Sequence, residues 1–260
     1  MADLKPIAFE VDGPAGKGLE TWEEIPASAL VSGTPVQRGH NYFTDDTGTL
    51  TAGVWDCTPM TGKCEPYSVN EFMLVLEGSV TIIHENGTEW TIKAGESFVI
   101  PKGAPVTWKQ TEYMRKFYVI LDDADVEAGE MDTLTVRRPD PAEKIPAVGE
   151  QDTSRYIGEV PTQHVKVYYG DPTGQFSVGI WDTTEMHTKP LPFVRNELMH
   201  ILEGEVTITN ADGIASTFKA GDTFMVPKGM SYQWDSKGTV RKIFCIFQPK
   251  EKAAAAVAAE

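Results

Sequence analysis

The sequence predicts an all-β chain of two tandem barrels, and three observations carry that expectation. A nine-residue stretch occurs twice, as NEFMLVLEG at Asn70–Gly78 and NELMHILEG at Asn196–Gly204. Short apolar runs such as Val80–Ile83, Ser97–Ile100 and Lys116–Leu121 recur between turn residues at spacings of roughly 8–12, the pattern of a sandwich or a barrel. Neither copy contains a convincing amphipathic helix.

The duplication reaches well beyond the stretch. A displacement of 126 residues (197 − 71) aligns Pro35 with Pro161, Tyr42 with Tyr168, Trp55-Asp56 with Trp181-Asp182 and Met60 with Met186. Without a gap it continues through Ala94-Gly95/Ala220-Gly221, Pro101-Lys102-Gly103/Pro227-Lys228-Gly229, Trp108/Trp234 and Arg115-Lys116/Arg241-Lys242. Over roughly ninety columns more than thirty pairs are identical, where unrelated sequences give about five. The expected organisation is an irregular segment at 1–31, a first barrel at 32–124, a linker at 125–157, a second barrel at 158–249 and an Ala-rich tail at 250–260.

Each piece has its own signals. In the first segment, GPAGKGLE resembles a phosphate loop only faintly, because Lys17 is followed by Gly18 and not by Ser or Thr; it reads as a surface loop. Asn86-Gly87 is a type I′ hairpin signal. The linker is acidic and Pro-rich and is expected to pack on the outside. The tail carries strong helix formers with little to bury, which predicts a short frayed helix.

Composition excludes several classes of function. The 260 residues carry a net charge of −15, which argues against nucleic acid and against anionic membrane surfaces. No run reaches the roughly 18 apolar residues of a membrane helix, and the first residues lack the apolar centre of a signal peptide. Cys57, Cys64 and Cys245 are odd in number and form no Cys-x-x-Cys pair, so they read as free thiols of a reducing compartment. The expectation is a cytoplasmic monomer or homodimer.

Within the repeated stretch, Glu71 and Glu197 put a carboxylate on an otherwise apolar strand. Such a group is costly unless paired, hydrogen-bonded or protonated, so keeping it in both copies points to a site. The plainer alternative is a barrel-mouth residue that bonds nearby backbone.

Taken with their surroundings, these residues resemble the cupins, double-stranded β-helix barrels of the jelly-roll type. Glu71-x6-Gly78 and Glu197-x6-Gly204 match the end of the family's first motif. Gly95-x5-Pro101-x-Gly103 and Gly221-x5-Pro227-x-Gly229 match the start of the second. Gly53–Asp56 and Pro101–Trp108, with Gly179–Asp182 and Pro227–Trp234, are similar to the ureidoglycine aminohydrolase-like and ethanolamine-utilisation cupins. The resemblance covers about 180 residues and implies two tandem cupin barrels. The metal-binding histidines of the family are replaced, by Glu65, Tyr67 and Val106 in copy one and by Leu191, Phe193 and Tyr232 in copy two. Only the glutamate of the ligand set remains, so neither metal nor other cofactor is expected. The five histidines are scattered, and His200 has the opposite strand parity to Glu197.

Strand alternation places Glu65, Tyr67, Val69, Glu71 and Met73 on one face of copy one, with Trp108 from the second motif. Glu65 and Glu71 in one confined pocket could not both ionise freely, which makes them candidate acid–base groups, with Tyr67 a donor to a developing oxyanion. Trp55, Trp108 and Met73 are candidate substrate contacts, although Met73, like Met199 in copy two, also reads as plain core. Copy two offers Arg195 beside Glu197, together with Tyr232 and Trp234. The N-terminal barrel, with more unpaired polar groups, is expected to be the working one. The function these residues point to is binding of a small polar metabolite in a metal-free lumen, with acid–base catalysis a further step. A metal-dependent aminohydrolase or dioxygenase is the alternative.

Overall fold

The computed structural model of the protein describes residues 4–249; the helix expected in the tail lies outside the described residues. The chain forms two all-β barrels, each built from two facing antiparallel sheets. In the N-terminal barrel the sheet that holds the repeated stretch runs in the order Ser97–Ile100, Asn70–Glu77, Met114–Leu121, Leu50–Cys57, Gln37–Thr44 and Glu20–Thr21. In the C-terminal barrel the corresponding order is Ile7–Ala8, Thr223–Val226, Asn196–Glu203, Val240–Phe247, Phe176–Thr183 and Gln163–Gly170. Among the described residues no helix is long and apolar enough to cross a membrane.

The repeated stretch is an inner strand of each sheet, second in the N-terminal order and third in the C-terminal one, and its residues are apolar on both faces for a physical reason. One face of Asn70–Glu77 looks into the barrel. The other, through Phe72 and Leu74, joins a shared core with Phe176, Val178, Leu198 and Ile243 of the second barrel. The two sheets that hold the repeated stretch therefore pack against each other, and each lumen has a separate apolar cluster. The closing Leu-Glu-Gly has a backbone cause. Gly78 (φ 72°) and Gly204 (φ 82°) sit so close to the next strand that an added Cβ would lie 2.1 Å from the carbonyl oxygen of Tyr113 or Thr239. Asn70 and Asn196 pin the other end, accepting from the backbone N–H of Lys102 (2.9 Å) and Lys228 (2.7 Å) in the Pro-Lys-Gly turns.

Three local expectations need correction. The Asn86-Gly87 hairpin forms, but only Gly87 has positive φ (83°). The glycine alone takes the left-handed position, as in a three-residue loop with a glycine bulge, and the type I′ turn is absent. The first segment contributes strands at Ile7–Ala8, Glu20–Thr21 and Leu30–Gly33 rather than remaining irregular. The linker does not lie wholly outside: Val126, Leu134, Val136, Ile145 and Tyr156 are buried.

The structural repeat also begins earlier than the visible identity. Trp22 donates its N–H to the Gln37 carbonyl as Val148 does to that of Gln163, and Leu30 pairs with Gly62 as Tyr156 pairs with Thr188. Backbone geometry keeps the 126-residue register where side chains have diverged.

The segments ahead of each repeat cross over. Ile7 and Ala8 pair with Met225 and Phe224 at the open edge of the C-terminal sheet. In return, Arg137 of the linker exchanges both backbone hydrogen bonds with Val99 (2.8 and 3.0 Å) at the matching edge of the N-terminal sheet. Each barrel is completed by an arm that belongs in sequence to the other.

Candidate functional site

In both lumens the glutamate of the repeated strand meets a lysine from the last strand. Lys116 Nζ donates to Glu71 Oε1 at 2.7 Å, and Lys242 Nζ donates to Glu197 Oε1 at 2.7 Å. All four side chains are buried. The lysine reaches the lumen because strand pairing puts Lys116 opposite Trp55 and Lys242 opposite Trp181, while the neighbouring Arg115 and Arg241 face Asp56 and Asp182 on the other side.

Each ammonium sits in a cage. Lys116 lies 4.8 Å from the ring centres of both Trp55 and Trp108, and Lys242 lies 4.9 Å from Trp181 and 5.3 Å from Trp234. Cation–π attraction of this kind grows when water is excluded. The thioethers of Met73 (3.1 Å) and Met199 (3.2 Å) close the cage from below. The indoles are themselves fixed: Trp55 donates to Gln37 (2.9 Å), Trp108 to Gln110 (3.0 Å), Trp181 to Gln163 (3.0 Å) and Trp234 to Ser236 (2.9 Å).

Beyond this shared centre the barrels differ. In the N-terminal one, the Tyr67 hydroxyl donates to Glu71 Oε2, and burial followed by the Glu71 charge pushes this phenol well above its ordinary range. Trp22 lies directly over Gly39, where a Cβ would come within 2.3 Å of its ring, and packs edge-on against Tyr118 at 6.1 Å. Aromatic side chains thus fill that lumen. In the C-terminal barrel the corresponding residues are Val148, Val165 and Phe244, and a cavity of about 250 Å³ opens. Arg195 donates through Nε to Glu197 Oε2 at 2.9 Å. Burial would raise the Glu197 carboxyl, but Lys242 and then Arg195 outweigh it and hold the group below its usual value.

The candidate residues fall out as follows. Arg195, Glu197, Tyr232 and Trp234 line the C-terminal cavity. Glu71, Tyr67, Trp55, Trp108 and Met73 gather in the filled N-terminal lumen, with Met73 fully buried beneath Lys116. Glu65 does not join them. Its side chain is exposed, on the two-residue strand Glu65–Pro66 that pairs with Pro105 and Val106 off the main path of its sheet. The expected Glu65–Glu71 pair, and the shared proton it would carry, are therefore replaced by Glu71–Lys116 and Glu71–Tyr67. Lys116, Lys242, Trp181 and Arg155 are the site residues that strand alternation around the glutamates does not reach. The Arg-Lys pair repeated beside Trp-Asp is the signal that points to the two lysines.

Jelly-roll barrels of this type commonly imply a metal, and these residues do not fit one. Each carboxylate already holds an ammonium, and among the described residues no group of three His, Cys, Asp or Glu could share an ion. Elemental analysis is expected to find far less than one transition-metal ion per chain; a stoichiometric Mn, Fe, Ni or Zn held by either glutamate would overturn this. The histidines are engaged elsewhere. His164 bonds Asp182 at 2.7 Å, His187 bonds Asp235 at 2.9 Å and His200 bonds Thr223 at 2.8 Å.

His200 gives a testable pH dependence. Burial lowers it from 6.5 to about 4, opposed only weakly by Asp222. Between those values the unfolded chain takes up a proton that the folded chain refuses, so stability falls as pH drops through the window. Denaturant midpoints measured at both ends of the window should differ in the native chain and much less in His200→Gln; equal slopes would show that His200 is not the cause.

Comparison with known proteins agrees with the geometry. No curated protein matches the chain. Among solved structures, a DUF861-family protein of unknown function from Pseudomonas syringae pv. tomato is similar at a TM-score of 0.76 and 23% identity, over 93% of this chain and 99% of that one. A cupin 2 conserved barrel domain protein from Leptotrichia buccalis gives 0.55 and 12%, over 88% and 98%. A salicylate 1,2-dioxygenase from Pseudaminobacter salicylatoxidans gives 0.52 and 14%, over 81% and 76%. These likenesses concern the fold. The EutQ-like cupin domain matches twice, at residues 44–118 and 170–244, more than half of the chain and once in each barrel. The chain belongs to the EutQ-like cupin family, as a bicupin.

Proposed function

We propose that the protein binds a small polar metabolite, and that the working lumen is the C-terminal one. The observation that carries this is the cavity of about 250 Å³ that reaches the Lys242–Glu197 pair in one barrel, while Trp22 packs over Gly39 at the matching place in the sister lumen. Its walls are mostly apolar with a few convergent polar groups, the usual make-up of a ligand pocket. The sequence favours the N-terminal barrel because Glu65, Tyr67 and Glu71 look unpaired; two of the three are spent on each other and on Lys116.

The same lumen carries a group suited to proton exchange. Burial lowers the Lys242 ammonium from its ordinary value, partly countered by Glu197. A ligand resting on the tryptophan cage meets that ammonium as a proton donor, with Glu197 as its counter-ion.

The sister barrel supplies its own test, a plug. Val148→Trp combined with Val165→Gly copies Trp22 on Gly39 into the open lumen. A small-metabolite extract is expected to raise the Tm of the native chain and to leave the plugged variant unmoved. A rise that survives the plug would place binding elsewhere.

A further inference from the structure

The charges around the C-terminal cavity do not balance. Arg155, Arg195 and Lys242 line it against one carboxylate, Glu197. Three cations and one anion leave an excess of two positive charges, inside a chain whose net charge is −15. The N-terminal barrel shows that the fold does not require this. The residues 126 positions earlier are Ala29, Val69, Lys116 and Glu71, one cation and one anion. Both arginines stand in copy two alone.

Their bonding leaves donors over. Arg195 engages Glu197 through Nε, and among the described residues its two terminal nitrogens have no acceptor. Arg155, carried into the cavity wall by the linker, acts on the hydroxyl of Tyr232, as Arg195 does by its charge. Burial outweighs both and keeps that phenol above its ordinary value, so it adds no compensating charge. Both guanidinium groups thus line the same half-buried cavity as Tyr232. Asp152, outside the lining, feels the charge of Arg155, but within the lining the positive charge stays in excess, and an anion would complement it.

We propose that the C-terminal lumen takes a small organic carboxylate, its carboxylate held by Arg195 and Arg155 and its body against Trp181, Trp234 and Phe193. A guanidinium presents paired N–H donors that match a carboxylate edge, which a lysine does not. The volume, about 250 Å³, is at the small end of ligand pockets, so the body is one ring or a short chain. The proposal rests on the reading of this lumen as the ligand site and adds the charge and size of what enters.

The test uses the full chain and three probes of one shape and three charges: benzoate, benzamide and benzylamine. Binding is followed by tryptophan fluorescence and titration calorimetry. Benzoate is expected to bind about tenfold or more tightly than either analogue, and Arg195→Gln or Arg155→Gln to weaken it by about tenfold or more. Arg195→Lys, which keeps the charge and loses the paired donors, should fall between. The plugged variant, Val148→Trp with Val165→Gly, should bind none. Benzamide or benzylamine binding as tightly as benzoate, in a way the plug abolishes, overturns the carboxylate while leaving the lumen as the site. Benzoate affinity indifferent to both arginine changes overturns it equally. If no probe of any charge binds in a plug-sensitive way, both the carboxylate and the site fail.

Discussion

Replacing Lys116 by methionine is expected to destabilise the protein by about 3–5 kcal/mol, the cost of stranding one member of a buried ion pair. The methionine fits the stem of the lysine, so little packing is lost. What remains is Glu71, whose side chain is 5% exposed and whose nearest counter-charge is gone. Tyr67 still donates to it, which softens the loss without neutralising the charge. Glu71→Gln alone should cost a similar amount for the converse reason, because it leaves the Lys116 ammonium between two indoles with no anion. Combining the two substitutions should recover most of the loss, since glutamine still accepts from Tyr67 and no charge is left buried. Denaturant unfolding of the three variants measures this. A Lys116→Met loss no larger than about 0.5 kcal/mol, the scale of an ordinary surface change, would show that the pair is hydrated.

Phe176→Ala is expected to cost about 3–5 kcal/mol, as large-to-small changes in a packed core do. Phe176 is fully buried among Phe72, Leu74 and Val119 of one barrel and Val178 and Phe247 of the other. The cavity would therefore lie between the barrels, in neither lumen. Both halves should lose stability together, so probes in either barrel should report one common shifted transition. Two separated transitions, or a loss confined to the C-terminal half, would mean that the sheets hold together without this core.

The two barrels were legible in the sequence because a duplication repeats turn glycines, and turn glycines are fixed by backbone geometry rather than by partners. The glutamates were legible too, since a carboxylate in an apolar strand needs an explanation. Their lysines were harder to find. Lys116 and Lys242 stand beside arginines in a strand that also carries apolar residues, and only the register against Trp55 and Trp181 tells which of each Arg-Lys pair turns inward. Glu65 misled for the opposite reason: alternation counted backwards from Glu71 finds Tyr67 correctly, but two residues further the chain is in a short exposed strand, and parity says nothing of depth. Which lumen is open was not readable at all. It depends on Trp22 against Val148, in segments where the two copies share backbone hydrogen bonds and no side-chain likeness.

The crossing of the arms has a consequence for how the two copies came to differ. Cut apart, each half would present a bare sheet edge at Val99 or Met225 and would satisfy it with an arm from another chain, as a strand-exchanging homodimer does. In such a pair every substitution appears twice, so a plug that stabilises one lumen closes both, and an arginine that recruits a ligand burdens both with its charge. Joining the copies in one chain removes that symmetry and makes the exchange independent of dilution. One barrel is then free to become a sealed support, while the other keeps an opening and accumulates charge that its twin never has to carry.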